Sequence, residues 1–301
     1  MQNEYRGAML GGAVGDALGM PFETTPPSLR QLKDGYTRPP KWHPNSGLPA
    51  GGYTDDTQIV MLASELFASG NFSPATYAES LKQLHIRNGF RFADGTILTA
   101  CRHLLKDRKE NSGCNSTTAG CIPLGLPFAL VYKDPVLMRE ELVKATAVTH
   151  THPGAHAAVV SFASLIFSTI NSDFDPLSNA QKNAFLEDET LGIKTGEAIR
   201  LAKDNISLDS ALAVIGNDVS IYQTLPMAYY LIQKYGDYPD LLYIASQLGG
   251  NTDTIAFICG AWLGAEYGQT GIPDDLILGI ENREKIESLA NRLYYRFGAK
   301  N

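Results

Sequence analysis

This 301-residue sequence predicts an all-α fold, and three observations carry that prediction. Helix punctuation recurs along the chain: Ser73-Pro74, Asp134-Pro135 and His152-Pro153 each set a helix-start residue before a proline at the first helical position, and Gly70 and Gly89 stand where helices end. Between these marks apolar residues fall at helical spacing, as at Ile59, Leu62, Ala63 and Leu66. No run alternates polar and apolar residues, and no Asn-Gly or Asp-Gly pair joins two β-branched runs.

Taken in order, Glu4–Met20 is a first helix dense in small residues, among them Gly7, Gly11, Gly12, Gly15 and Gly19. So much glycine is costly in an isolated helix. It is tolerable where the backbone packs closely against a neighbour. Asp16 lies inside this segment with no basic residue nearby in sequence, so it needs a partner from elsewhere. Pro26–Gly52 is a loop broken by six prolines, and it joins Glu23 to an Asp pair, as a loop wrapping a site would. Helices are expected after Ser73, over Asp94–Leu105, over Thr117–Tyr132, after Asp134, and from His152 through Ile170. Two more fall within Leu177–Asp204. The rest are placed at Leu208–Ile215, Ile221–Lys234, Asp240–Leu248, Thr252–Tyr267, Asp274–Ile280 and Glu284–Phe297. No tandem repeat or linker divides the chain, and one domain over residues 1–301 is expected.

Composition sets the broad class. With 44% hydrophobic and 19% charged residues the chain has the mass for a sizeable core. A net charge of −7 speaks against a nucleic-acid groove or an anionic membrane surface. The start, MQNEYRGAML, shows no signal peptide, and no apolar stretch is read as reaching transmembrane length. Cys101, Cys114, Cys121 and Cys259 show no CxxC spacing and read as reduced structural thiols. A cytoplasmic location is the expectation.

Chemistry concentrates in GGYTDDTQIVMLASE, Gly51–Glu65. Thr54, Asp55, Asp56 and Thr57 open an apolar helix, where one carboxylate would serve as a cap. Two adjacent carboxylates repel unless a cation lies between them, and hard oxygen donors of this kind suit Mg²⁺ or Mn²⁺. Gly249–Thr254, GGNTDT, repeats the arrangement at the start of another apolar helix. Either cluster alone reads as a well-capped helix. The matched pair, if the two mouths face each other, predicts a site for one or two divalent ions.

Other constellations are weaker. His150, His152 and His156 lack an HExxH pattern and a fourth ligand, so zinc is disfavoured. GGAVGDALG follows no strand and is not a dinucleotide fingerprint.

The ordered set GGAVGDALGMPFE (Gly11–Glu23), GGYTDDTQIVMLASE, THTHP (Thr149–Pro153), SIYQTLPMAYYLI (Ser220–Ile232) and GGNTDTIAFICGAWLGAEYG (Gly249–Gly268) resembles the motifs of the ADP-ribosylglycohydrolase family. That family includes enzymes, such as those of the dinitrogenase-reductase-activating type, that remove ADP-ribose from protein side chains. The resemblance spans about residues 7 to 268. It implies a single orthogonal multi-helix bundle with a Mg²⁺ or Mn²⁺ site and a ribosyl substrate, here an ADP-ribosyl conjugate or an ADP-ribosylated protein. Thr54, Asp55, Asp56, Asp253 and Thr254 match its metal ligands. Glu23 matches an acid/base glutamate, with Asp55 or Asp56 as the next candidate, and His150 matches a substrate-contacting histidine.

Cleavage at ribose passes through an oxocarbenium-like state, which chelated ribose hydroxyls and a positioned carboxyl group would favour. The chain departs from the pattern twice. Asn251 stands where an aspartate is usual; its amide oxygen can still meet a cation but brings no charge, so one tight ion, held by Asp56, Asp253 and Thr254, and a second weak one are expected. The substrate-holding central segment reads Asn115-Ser116-Thr117-Thr118-Ala119-Gly120, without that segment's usual glycine, methionine and arginine. That change keeps open a same-fold hydrolase of another N-ribosyl or nucleoside-like compound, or a relative that binds without catalysis.

Overall fold

The structure is a computed structural model that describes residues 1–27, 34–106, 112–236 and 240–299. The described residues form fifteen α-helices and no strand; isolated bridges pair Cys114 with His150 and Thr118 with Ser220. Most of the Pro26–Gly52 loop is described; its residues 28–33 lie outside the described residues.

Helices start where their caps predict. Thr54 caps α2 (Asp55–Ser69), which Gly70 ends in the left-handed conformation at φ 78°. Ser73 and Thr76 form a capping box at α3 (Pro74–Ile86), and Asp94 caps α4 (Gly95–Leu105). Asp134 caps α6 (Pro135–Thr146) and His152 caps α7 (Pro153–Ile170). Asp188 both ends α8 (Pro176–Glu187) and caps α9 (Glu189–Lys203), and Ser207 caps α10 (Leu208–Ile215). The series continues through α11 (Ile221–Tyr235), α12 (Leu241–Ser246), α13 (Thr252–Tyr267), α14 (Asp274–Gly279) and α15 (Arg283–Leu293).

Three expectations need correction. The single helix over Thr117–Tyr132 is instead a 3₁₀ turn at Ala119–Leu124 followed by the short α5 (Gly125–Val131). Pro123 and Pro127 donate no N–H there, and the backbone before them is already committed: Ala119 N donates to Val219 O at 2.8 Å and Ile221 N to Thr117 O at 2.8 Å. The last helix stops at Leu293 and widens into a π-turn over Tyr294–Gly298. An apolar stretch of spanning length does exist, since α7 has 18 residues of mean hydropathy 1.4. It is 78% buried inside the fold, so packing against neighbouring helices accounts for its apolar composition.

The first helix, α1 (Gln2–Gly19), sets the architecture by running antiparallel to α13 in backbone contact. A Cβ at Gly7, Gly11, Gly15 or Gly19 would stand closer than 3.0 Å to the carbonyl oxygen of Gly264, Gly260, Ala256 or Thr252 respectively. The glycines cost helix propensity and return it as close packing along the whole pair. Thr252 Oγ1 donates to Gly19 O at 2.9 Å, fixing the register at the site end. The C-terminal turn of α1, which leads through a 3₁₀ turn at Met20–Phe22 to Glu23, is therefore held against the N-terminus of α13.

Candidate active site

The mouth of α2 is shaped by a residue one turn back in α1. Asp16, fully buried, accepts Thr54 N–H at 2.9 Å and Thr57 N–H at 3.1 Å, and Thr57 Oγ1 donates to it at 2.6 Å. This is the partner that Asp16 required. A carboxylate borrowed from α1 satisfies the first turn of α2, so Asp55 and Asp56 are released from capping. Thr54 keeps the ordinary cap role, its Oγ1 accepting from Asp56 N at 3.3 Å.

The mouth of α13 is shaped by two glycines. Gly249 and Gly250 adopt φ values of 75° and 67°, open to glycine at little cost. Gly250 O accepts Thr24 N–H at 2.9 Å, which ties the Glu23 turn to this loop. Thr24 itself sits at φ 59°, a strained conformation for a β-branched residue held directly beside Glu23. Asp253 Oδ1 accepts Thr254 N–H at 2.8 Å.

The two mouths face each other across a cleft of about 450 Å³. Glu23, Asp55, Asp56, Asp94, Asn251, Asp253 and Thr254 line it, with Phe92 and Val219 among the apolar wall residues and Thr96, Thr118 and Gly120 completing the polar side. No Lys, Arg or His is among the described lining residues. Asp55, Asp56 and Asp253 are 4%, 2% and 5% exposed, so their charges are desolvated as well as crowded. Burial, with the Asp253 and Asp55 charges, pushes the Glu23 carboxyl up to about 11. Burial and the Asp16 charge push Asp253 up to about 7. Asp55 and Asp56 are driven well above the usual carboxylate range by burial and by the charge of Asp253. Asp94 is the exception: burial acts to raise it, but His150 and the Thr118 and Thr96 contacts outweigh burial and hold it at about 2.

Among the described residues, Glu23 Oε2 and Asp56 Oδ2 are buried without a hydrogen-bond partner. Unpaired buried carboxylate oxygens are expensive. Together with the Thr254 hydroxyl and the Asn251 amide they form an all-oxygen donor set that fits a hard divalent cation. Among the described residues no three His, Cys, Asp or Glu side chains are gathered tightly enough to hold an ion by themselves, so threonine and amide oxygens are needed to complete a shell.

Several predicted residues stand elsewhere. Thr54 is fully buried behind the cleft and does not line it. Asn115 is exposed and outside the lining, next to the Cys114–His150 bridge. Ser116 accepts from Thr96 Oγ1 at 2.8 Å, behind the wall rather than at it. His150 is fully buried; its Nε2 pairs with Thr118 Oγ1 at 2.9 Å and lies 3.7 Å from Asp94 Oδ2, an electrostatic rather than a hydrogen-bonding distance. It supports two wall residues instead of reaching the cleft itself. His156 Nε2 binds His150 O and His152 caps α7, which disposes of a three-histidine zinc site.

The sequence reading missed Asp94, whose Oδ1 accepts Thr96 N–H at 2.7 Å and whose Oδ2 accepts Gly120 N–H at 3.2 Å. Its only sequence signal, an aspartate at a helix start, is shared by Asp134, Asp175 and Asp188, which cap helices outside the cleft. A second cleft of about 450 Å³ lies between α2, α3 and α15, but its acidic residues are exposed and paired: Lys285 reaches Glu65 and Lys82 reaches Glu79.

The chain is 33% identical over 302 residues to an uncharacterized protein of Archaeoglobus fulgidus, covering 98% of this chain and 97% of that one. It is 25% identical to the ADP-ribosylarginine hydrolase Tri1 of Pseudomonas putida, covering 97% of this chain and 78% of the relative. It is 23% identical to the ADP-ribosylhydrolase ARH3 of Danio rerio, covering 98% and 90%. A solved structure described as an ADP-ribosylglycohydrolase-related protein complex superposes with a TM-score of 0.76 at 22% identity over 98% of each chain, which shows the same fold. With the ADP-ribosylglycohydrolase profile matching residues 1–301, the chain belongs to the ADP-ribosylglycohydrolase family and is a hydrolase of the glycosidase type.

Proposed function

We propose that this enzyme hydrolyses the glycosidic bond joining ADP-ribose to a conjugated group such as a protein side chain, with Mg²⁺ or Mn²⁺ resident in the cleft. One observation carries the reading: two helix mouths distant in sequence meet around buried carboxylates that no lining cation neutralises, with oxygens of Glu23 and Asp56 left unpaired. Such a cluster opposes folding, so a purely structural role gives no reason to keep it.

Asp55, Asp56, Asp253 and Thr254, with the Asn251 amide oxygen, are the residues that would hold the ion; Thr54 acts behind them by fixing Asp56. When bound, the ion relieves the repulsion among these carboxylates and supplies a Lewis acid that orients ribose hydroxyls. Glu23 is the group that moves a proton, because it is held beside Asp253 in the cleft by the Thr24–Gly250 hydrogen bond and its burial raises its proton affinity. Asp94, held ionised on the opposite side, offers an acceptor to a substrate hydroxyl or a cationic leaving group. Phe92 and Val219, both partly exposed, give the cleft an apolar wall against which a ring can pack.

A second reading, hydrolysis of another N-ribosyl compound, is favoured by Asn115 and Ser116 standing outside the lining, since less of the central segment is left to hold a diphosphate conjugate. Parallel assays on ADP-ribosylated peptides and simple nucleosides separate the two.

Glu23→Gln tests the assignment of the proton. The variant is expected to lower ADP-ribose release by roughly 100- to 10,000-fold, the usual range for general acid–base catalysis, while ADP-ribose still raises its melting temperature in the presence of Mg²⁺. Activity within a factor of about 3 of the parent would remove Glu23 from the mechanism.

A further inference from the structure

The amide at position 251 is specified by its surroundings. Thr224 is fully buried, and its hydroxyl proton is donated to Asp218 O at 2.8 Å. Its oxygen is thereby left as an acceptor, and Asn251 Nδ2 donates to it at 3.0 Å. Asn251 N–H is fixed in turn to Asn217 O at 2.8 Å, and Asn217 Nδ2 braces the loop through Leu248 O and Gly249 O at 2.9 and 2.8 Å. With its nitrogen held by Thr224, the amide has its oxygen left for the cleft that Asn251 lines. A carboxylate here would set an oxygen against the lone pairs of Thr224 unless that hydroxyl turned away from Asp218.

We infer that this relay makes the cation site asymmetric, so that the resting enzyme binds one divalent ion tightly and a second only weakly. The inference rests on the metal reading proposed above and deepens it. The two helix mouths supply three carboxylates, Asp55, Asp56 and Asp253; Glu23 serves the proton, and Asp94 stands on the opposite wall, where each of its oxygens already accepts one backbone N–H. One divalent ion balances two of the three charges. A second would leave the mouths themselves with an excess of one positive charge; Asp94 across the cleft is already engaged by two backbone N–H groups and by His150 at 3.7 Å, position 251 meets the excess with a dipole instead of an anion, and hard cations respond steeply to the charge count of their ligands.

The test is calorimetric titration of Mn²⁺ into the metal-free full chain, with Mn²⁺ paramagnetic resonance to separate single ions from coupled pairs. The wild type is expected to show one tight site and a second weaker by roughly 100-fold or more. Asn251→Asp is expected to bring the two constants within roughly 10-fold and to introduce the signal of a coupled pair. Two equally tight sites in the wild type overturn the inference and leave the metal reading standing. No tight site overturns both. A single tight site in the wild type that persists unaccompanied in folded Asn251→Asp shows that position 251 is not the cause, and also overturns it. The wild-type titration decides by itself if the variant does not fold.

Discussion

Asp253→Asn is expected to lower hydrolysis by roughly 100- to 1000-fold and, in protein stripped of divalent ions, to melt several degrees higher than the parent at pH 8. The two effects have one origin. Asp253 is a buried carboxylate crowded by other carboxylates, and its folded-state pKa is pushed up to about 7 from 3.8. A group raised in this way holds its proton in the folded chain where the unfolded chain has lost it. Its stabilising contribution is complete below about pH 4 and is lost as the pH climbs through about 7. Metal-free parent protein should therefore lose stability over that interval, by an amount on the order of 4 kcal/mol for this group, and Asp253→Asn should lack the slope. Asparagine keeps the oxygen that accepts Thr254 N–H, so the helix start is preserved. Melting curves from pH 4 to 8 in chelator check this. A variant less stable than the parent at pH 8 would contradict the electrostatic account of the cleft.

The second large effect lies away from the chemistry. Gly11→Val should destabilise the fold by more than about 3 kcal/mol, the upper part of the range for overpacking a core, because any Cβ at this position meets the Gly260 carbonyl closer than 3.0 Å with backbone on both sides. What the clash moves is the site. Relief requires α1 and α13 to separate, and their contact sets Glu23 and Asp16 against Asp253 and the mouth of α2. Soluble Gly11→Val is accordingly expected to lose Mn²⁺ affinity as well as stability in chemical denaturation. Gly35→Ala serves as the comparison, since among the described residues no heavy atom lies within 4 Å of an added Cβ there, and its positive φ adds strain to the change. Equal destabilisation by both would show that the α1–α13 contact is not what holds the two mouths together.

Much of this was legible in the sequence because it is local. Caps at Ser73, Asp134, His152 and Ser207 act within one helical turn, so their residue types announce them. The two Gly-Gly/Asp/Thr starts were visible for the same reason, and their duplication suggested that they meet. Asp16 could be flagged as needing a partner, but Thr54 and Thr57 could not be chosen for it, since that choice depends on how α1 crosses α2. Asp94 was hidden by its own cap geometry: a residue with a sufficient local explanation gives no sign of a second role. The displacement of Asn115, Ser116 and His150 behind or outside the wall was equally hidden. It accompanies the bridges Cys114–His150 and Thr118–Ser220, which join segments more than 30 residues apart. Pro123 and Pro127 did announce the broken helix there; helical spacing of the apolar residues masked them.

The most direct test of the central claim is ADP-ribose release from an ADP-ribosylated arginine or serine peptide by the purified full chain, measured before and after chelation and again after adding Mg²⁺ or Mn²⁺. The account predicts turnover that chelation abolishes and either ion restores, with Asp55→Asn inactive throughout. Undiminished release in chelator by the wild type, or by Asp55→Asn, would contradict a reaction organised around a cation held between the mouths of α2 and α13.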